Sequence, residues 1–497
     1  MSKWLRKARP LTGDIRSAER YDQAWRAEPV PAWTQAQPPL PVGDLAPQSP
    51  GTATPCNTEI VADAKGLTAY GGMSLFIAFT QTLGLSQMLE RFVHFPKRQS
   101  TYAPTQLGEC VVDAIACGIT RIENTLLLKD DPLLPAARGL CRYPDHATVH
   151  RYITGFTSET VEQLHQASNA LLRKAARPRK PTRVTLDFDA TDAVVYGQQE
   201  QAAFGHKNSR DGHREYSIEA CFLGGSRDLV HHQLRAGNAS SVREFPAFLR
   251  EAVQRLPEGM VPALVRTDAG YFSQDNLAVL DEMGVSFLVG CPPYRFLIEQ
   301  AYALDNWQRI SPDEEITSFD WAFQRDDTVR RVIMARHPDP KKTRPGNDGQ
   351  LPLLPEATDE RDRYKHFACV SNIGNKSANV LWQTCAARSS MENAIKESKL
   401  GFGLQALPSS RFAANQAYVA FVFLTYNLMN WFKRFAFAGH AMMQRQMKAI
   451  RQWVLCVPAL VEHDATRWRI HLPEGHPSLV LFRQIQDYLT KGAVIAT

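Results

Sequence analysis

The apolar pattern between Val184 and Val289 constrains the fold more than any other feature of this 497-residue chain. Val184-Thr185-Leu186-Asp187-Phe188-Asp189 alternates strictly, the two-residue period of a strand with one packed face. Tyr216 to Leu223 and Asp228 to Leu234 read as further strands. Phe245, Phe248, Leu249 and Val253 then mark a helix between Arg243 and Leu256, and Ala263-Leu264-Val265-Arg266-Thr267-Asp268 reads as a buried strand. Gln274 to Met283 follows as a helix and Val285 to Val289 as a strand. Strands, helix, strand, helix and strand in this order predict a mixed α/β sheet.

Around this segment the patterning changes. Nine of the 31 prolines lie in the first 55 residues, which carry no sustained apolar period, so 1–55 is expected to be a Pro-rich extended arm. Over 56–172 apolar residues recur at helical spacing, as in Leu75, Phe76, Phe79, Leu83 and Leu107, Val111, Val112, Ile115, and predict an N-terminal all-α domain, a DNA-binding one if the helix described next reads a groove. Within it Asp145 is placed to cap a helix displaying Thr148, Arg151 and Tyr152, either a groove-reading helix or an ordinary bundle helix. Residues 173–183 form a basic linker in which Arg173, Lys174, Arg177, Arg179, Lys180 and Arg183 meet no acid; it reads as a solvated hinge or as a tether contacting phosphates. The α/β core is expected in two parts, 184–292 and 366–440, split by an insertion over 293–365 whose clearest strand is Thr328 to His337. The C-terminal region, 441–497, carries a strand near Thr466 to Leu472 and a helix near Leu481 to Leu489.

Composition narrows the class. Hydrophobic residues at 44% and charged residues at 22% exclude wholesale disorder and a multi-span membrane protein. Lys plus Arg exceed Asp plus Glu by 57 to 51, a basic excess that permits a polyanionic partner without demanding one. The nine cysteines, Cys56, Cys110, Cys117, Cys141, Cys221, Cys291, Cys369, Cys385 and Cys456, form no CxxC pair and read as reduced thiols of a cytoplasmic protein. Phe412 to Phe432 has spanning length but contains Asn415, Gln416, Asn427 and Asn430, amides costly in lipid, and is read as a buried core helix.

Three acids stand out. Asp189 shares a strand face with Asp187, opposite Leu186 and Phe188, and two like charges side by side need a cation. Asp268 ends an apolar strand where the chain opens into Ala269-Gly270-Tyr271. Carboxylates at the ends of neighbouring strands suit a hard divalent ion, although either alone is equally a turn aspartate binding backbone amides. On one continuous helix, Cys385, Arg388, Glu392 and Lys399 fall at about 0°, 300°, 340° and 320°, a stripe roughly 60° wide. One acid flanked by two cations can complete a metal site beside bound phosphates, or be an exposed helix with i,i+4 pairing.

Cys385-x2-Arg388-x3-Glu392-x6-Lys399 resembles the Tyr-x2-Arg-x3-Glu-x6-Lys signature of bacterial insertion-sequence DDE transposases, with Cys385 in place of the Tyr. Asp189-Ala190-Thr191 is similar to their first acidic motif, and Arg266-Thr267-Asp268-Ala269-Gly270-Tyr271 to their second. Leu234-Arg235-Ala236-Gly237-Asn238 and Ala417 to Trp431 extend the likeness over roughly residues 140–440, and Asp187 rivals Asp189 for the first position. The resemblance implies a ribonuclease H-like mixed-sheet catalytic core with a β-rich insertion before the last acidic helix. It further implies that Asp189, Asp268 and Glu392 are catalytic and bind two Mg²⁺ ions, with Mn²⁺ as a substitute. Arg388, Lys399, the residue at the Tyr position, Cys385, and Arg173, Lys174, Arg177, Arg179 and Lys180 of the linker are the expected DNA contacts. The expected activity is cleavage and joining of transposon ends by a homodimer on terminal inverted repeats and target DNA, in the bacterial cytoplasm and without a membrane partner. A nuclease that does not join, and a DNA-binding protein without catalysis, are the rival readings. His206, His213, His231 and His232 lack compact zinc-ligand spacing, and Trp307 and Trp321 read as core or as base-stacking residues.

Overall fold

The computed structural model describes residues 63–96, 101–176, 178, 180–205, 212–323, 328–339, 360–464 and 467–491. The expected N-terminal arm, Cys56, Arg177, Arg179, His206 and most of the Pro-rich loop of the insertion lie outside the described residues. Residues 64–497 form one compact unit.

A short strand, β1 (Leu67–Thr68), leads into five helices of eight residues or more: α1 (Met73–Leu83), α2 (Leu85–Phe92), α3 (Pro104–Cys117), α4 (His146–Thr154) and α5 (Ser158–Ala176). Gly84 at φ 93° turns the chain between α1 and α2, a left-handed conformation that glycine adopts without a Cβ penalty. Asp145 caps α4 as expected, accepting from the Thr148 amide at 2.7 Å. Tyr152 is not displayed, however. It is 7% exposed and packs on Phe95, Phe156 and Phe421, so the outer face of α4 carries His146, His150 and Arg151 instead. Helix α5 runs to Ala176, so Arg173 and Lys174 are exposed residues of its last turn rather than of a linker.

The sheet follows: β2 (Thr182–Val195), β3 (Arg214–Leu223), β4 (Leu229–Ala236), helix α6 (Ser241–Gln254), β5 (Met260–Thr267), α7 (Gln274–Glu282) and β6 (Ser286–Cys291). Strands β2, β3 and β4 are antiparallel neighbours, whereas β5 lies parallel to β2 and β6 parallel to β5. Serines 240 and 273 cap α6 and α7 through their hydroxyls, which is why these helices begin there. The insertion contributes α8 (Arg295–Leu304), β7 (Gln308–Ser311), β8 (Glu314–Ala322) and β9 (Val329–Pro338), and β10 (Tyr364–Ser371) returns the chain beside β6. It does not form a separate lobe. Strands β7 to β10 continue the same sheet in the order β4-β3-β2-β5-β6-β10-β9-β8-β7, nine strands in all.

Two helices then approach the site, α9 (Ala378–Ala386) and α10 (Ser389–Phe402), followed by α11 (Phe412–Ala436). Strand β11 (Ala459–His463) pairs with β1 and β12 (Trp468–His471) with β11, and α12 (Leu479–Thr490) ends the described chain. One face of the sheet packs Leu186, Phe188 and Val265 against Phe245, Phe248 and Leu277 of α6 and α7. The other packs Tyr216, Ile218, Ala220 and Phe222 against α10 and α11. The helices of 73–176 do not close a core of their own: Phe76, Phe79, Leu164 and Leu171 share this second core with Phe421, Trp431, Val454 and Ile485. An apolar helix stripe cannot stay in water, and the nearest cover for it is α11, far along the chain.

The amides of α11 explain its place. Asn427 accepts from the Leu229 amide at 2.8 Å and donates to the Leu229 carbonyl at 2.9 Å, while Asn430 donates to Ser226 and Asp228. Among the described residues no helix is long and apolar enough to cross a membrane.

At the β4 edge His165 of α5 meets His231 and His232, with ring centroids 5.8 and 4.6 Å away. Glu162 and Arg255 pair beside them, and Glu251 bonds His231 at 2.9 Å. Burial depresses His231 to about 4 and His232 well below its ordinary value. The unfolded chain therefore takes up these protons first, near pH 6.5, and the stability of the neutral pair is complete above that pH and lost as it falls toward 4. Unfolding by denaturant at pH 7 and pH 5 should show a loss of about 2 kcal/mol from His231 alone, and His231→Gln should remove that part of the dependence.

Candidate active site

Asp189 and Asp268 reach the same place because β2 and β5 are parallel neighbours whose C-terminal ends point one way. Asp189 lies opposite Ala220 of β3, on the sheet face covered by α10 and α11. Asp268 follows β5 directly and accepts from the Gly270 amide at 2.9 Å, which fixes the turn over Ala269–Tyr271. Glu392 comes from the first turn of α10. Arg388 joins them: its guanidinium lies 3.0 Å from Glu392 Oε1 and 3.6 Å from Asp189 Oδ2. The side chains of Asp189 and Glu392 keep 16% and 25% exposure, so the acids open to solvent rather than into packed apolar groups.

The electrostatics are those of an anionic cluster short of positive charge. Burial, with Asp268 and Glu392 adding to it against the pull of Arg388, pushes Asp189 up to about 7. Glu392 is raised by burial and by Asp268, again opposed by Arg388. Three carboxylates raise Arg388 in turn, yet its Nη1 makes no hydrogen bond among the described residues.

Asp187 is engaged with a different partner. It is 1% exposed and holds Arg266 in a two-pronged pair at 2.6 and 2.7 Å. The third arm of Arg266 donates to the Thr384 carbonyl at 2.6 Å, and this bond reshapes the expected single helix. A continuous helix would give the Thr384 carbonyl to the Arg388 amide; with that carbonyl taken, the Arg388 amide bonds Cys385 at 3.1 Å and the turn tightens. The chain thus divides into α9 and α10 at Ala387–Arg388. Arg388, Glu392 and Lys399 remain beside the sheet, and Lys399 donates to the Asp192 carbonyl at 3.3 Å. Cys385 leaves the stripe and packs against Cys369, under the site. Lys180 is exposed just before β2, and Arg173 and Lys174 are exposed at the end of α5.

Some contributors escaped the sequence reading. Glu219 of β3 is 1% exposed and accepts hydrogen bonds from Tyr271 and Ser241, with Arg235 at 3.6 Å. It anchors the turn that carries Asp268. A Glu amid the apolar residues of Tyr216 to Leu223 was the available signal. Gly290 of β6 is another. A Cβ there would lie 2.7 Å from the Ala269 amide nitrogen and 3.0 Å from the Asp268 carbonyl carbon, so only glycine lets β6 pass this close. Gly290→Ala should cost about 1–3 kcal/mol in denaturant unfolding and, by moving Asp268, about 100-fold in DNA cleavage.

Trp307 sits with Arg336 4.3 Å over its ring and Tyr302 beside it, while Trp321 stacks on Phe296 at 5.4 Å. His213 lies at the surface against Tyr196.

Residues 53–493 match the family described as Transposase DDE domain group 1. The chain belongs to this family. Membership makes it a DNA transposase and gives DNA as its partner. No curated protein matches the sequence. Among solved structures the chain is similar to the "Cryo-EM structure of piggyBac transposase synaptic complex with hairpin DNA (SNHP)", at 10% identity and TM-score 0.38, covering 85% of this chain and 82% of that one.

The donor set fits a divalent cation. Among the described residues no three His, Cys, Asp or Glu side chains are already closed to coordination distance, because the Arg388 guanidinium stands between Asp189 and Glu392. All three acids nevertheless offer hard oxygen donors, and together they carry more negative charge than one guanidinium neutralises.

Proposed function

We propose that this chain is an insertion-sequence transposase with a ribonuclease H-like core, in which Asp189, Asp268 and Glu392 hold two Mg²⁺ ions, replaceable by Mn²⁺, and cut and rejoin DNA at terminal inverted repeats. The observation that carries this reading is the meeting of three acids, from β2, the end of β5 and the start of α10, around Arg388. Three antiparallel strands followed by two parallel ones, with one acid within β2, one just after β5 and one on a later helix, support the core assignment.

When bound, the metal ions supply Lewis-acid stabilisation of an in-line displacement at phosphorus. Residues of the chain do the rest. Glu219 and Tyr271 keep the Asp268 turn fixed, and the Asp187–Arg266 pair fixes the joint from which Arg388 and Glu392 project. Arg388 can present paired N–H donors to phosphate oxygens, and Lys399 adds a point charge one face along α10. Lys180, Arg173 and Lys174 are exposed cations for DNA outside the site. The protein acts in the bacterial cytoplasm as a homodimer on paired ends.

The test is a purified assay with Mg²⁺ and DNA carrying the inverted repeats that flank the gene. Cleaved ends covalently joined to target DNA are expected. Cleavage without joined product would favour a nuclease on the same core, and end binding without cleavage a non-catalytic DNA-binding protein.

A further inference from the structure

We propose that Cys369 and Cys385 form a reversible disulfide beneath the acidic site, making it an oxidant-sensitive switch; the effect on cleavage rests on the function proposed above, whereas formation of the bond does not. Cys369 lies in the middle of β10 and is 1% exposed. Cys385 is the last but one residue of α9, one helical turn after Leu381, and both pack with Cys369, Leu288 and Ile333 in a small cluster between helix and sheet. The Cys369 Sγ donates to the Val370 carbonyl at 3.9 Å, and the Cys385 side chain packs against the same small cluster. Cys369, with Arg388 and Arg266, holds the Cys385 thiol below its ordinary value against the cost of burial. A thiol held toward the thiolate by two guanidinium groups is the form that attacks disulfides. Cys385 keeps partial exposure, whereas Cys110, Cys117, Cys221, Cys291 and Cys369 are buried.

The chemistry balances with oxidised glutathione as the oxidant. The Cys385 thiolate attacks one glutathione sulfur, forming a mixed disulfide and releasing one glutathione thiolate. The Cys369 thiol passes its proton to that thiolate and attacks the Cys385 sulfur, releasing the second glutathione. Two protein thiols become one disulfide, and glutathione disulfide becomes two thiols.

The bond has leverage on the site. A disulfide sets its two sulfur atoms about 2.05 Å apart, which draws the last turn of α9 toward β10. That turn is pinned at Thr384 by Arg266 and continues through Ala387 into Arg388. Oxidation also consumes the Cys385 thiol, which interacts with both Arg388 and Arg266, so Arg388 loses one of its partners.

Full-length protein incubated with oxidised glutathione, alkylated, digested without reductant and analysed by mass spectrometry should yield a linked Cys369–Cys385 peptide, with Cys141, which is exposed, carrying only glutathione. In Cys369→Ala the link should vanish and Cys385 should retain glutathione. The linked wild-type protein should lose most of its DNA-end cleavage and regain it with dithiothreitol. Glutathione on Cys141 alone, or on Cys385 of the wild type without a link, would overturn the disulfide. Linked protein that cleaves at the rate of the reduced form would overturn the switch. Because the peptide map needs no activity, it stands apart from any failure of the assigned function.

Discussion

Asp189→Asn, Asp268→Asn and Glu392→Gln should each lower single-turnover cleavage of a DNA end by about 10³-fold or more, several kcal/mol of transition-state stabilisation. Binding of that end should persist. An amide keeps the shape of the acid but not its charge, so a loss confined to the chemical step identifies the carboxylates as the reacting centre's own groups. Their environment sharpens the expectation. Asp189 is raised to about 7 partly because Asp268 and Glu392 crowd it, which means the cluster is held together against its own repulsion. Removing one of these charges should leave the melting temperature unchanged or higher. A variant that loses cleavage and stability together would instead mark a structural acid.

Asp187→Ala supplies that contrast. This residue lies two positions from Asp189 on the same strand face, yet its work is to neutralise a guanidinium that also supports the Thr384 carbonyl. Truncation leaves Arg266 buried without its partner, and denaturant unfolding should report a loss of about 3–5 kcal/mol. Pairing Asp187→Leu with Arg266→Met should recover much of that stability, since a buried ion pair replaced by packed apolar groups is often close to neutral. Cleavage should fall in both, because the joint ahead of Arg388 is then unsupported.

The contrast also shows what was legible in the sequence. The strict alternation around Asp189 and the apolar run before Asp268 suggested strand ends for both acids; Asp268 does follow the end of β5, whereas β2 runs on to Val195 and Asp189 lies within it, one residue past the last pair with the parallel neighbour β5. The spacing Arg388-x3-Glu392-x6-Lys399 was legible because one helical face repeats locally. Cys385 was not, since its departure depends on a carbonyl captured by Arg266 from 118 positions away. The partner of Asp187 was hidden for the same reason: only the register of β2 on β5 sets Arg266 against it. The helices of 73–176 looked self-sufficient because a helical stripe announces that it needs cover, not which element provides it; α11 does. The insertion looked loose because the Pro/Gly-rich stretch from Pro338 to Pro355 breaks its pattern, while its continuation of the main sheet is a matter of long-range pairing with β10.

The central claim, that Asp189, Asp268 and Glu392 are direct metal ligands, is tested most directly by a change of metal preference. Asp189→Cys and Asp268→Cys place a softer sulfur donor where an oxygen stood. Cleavage should be lost with Mg²⁺ and recovered in part with Mn²⁺, while wild-type protein uses both. Cysteine variants equally inactive in the two metals, or equally active, would contradict the account.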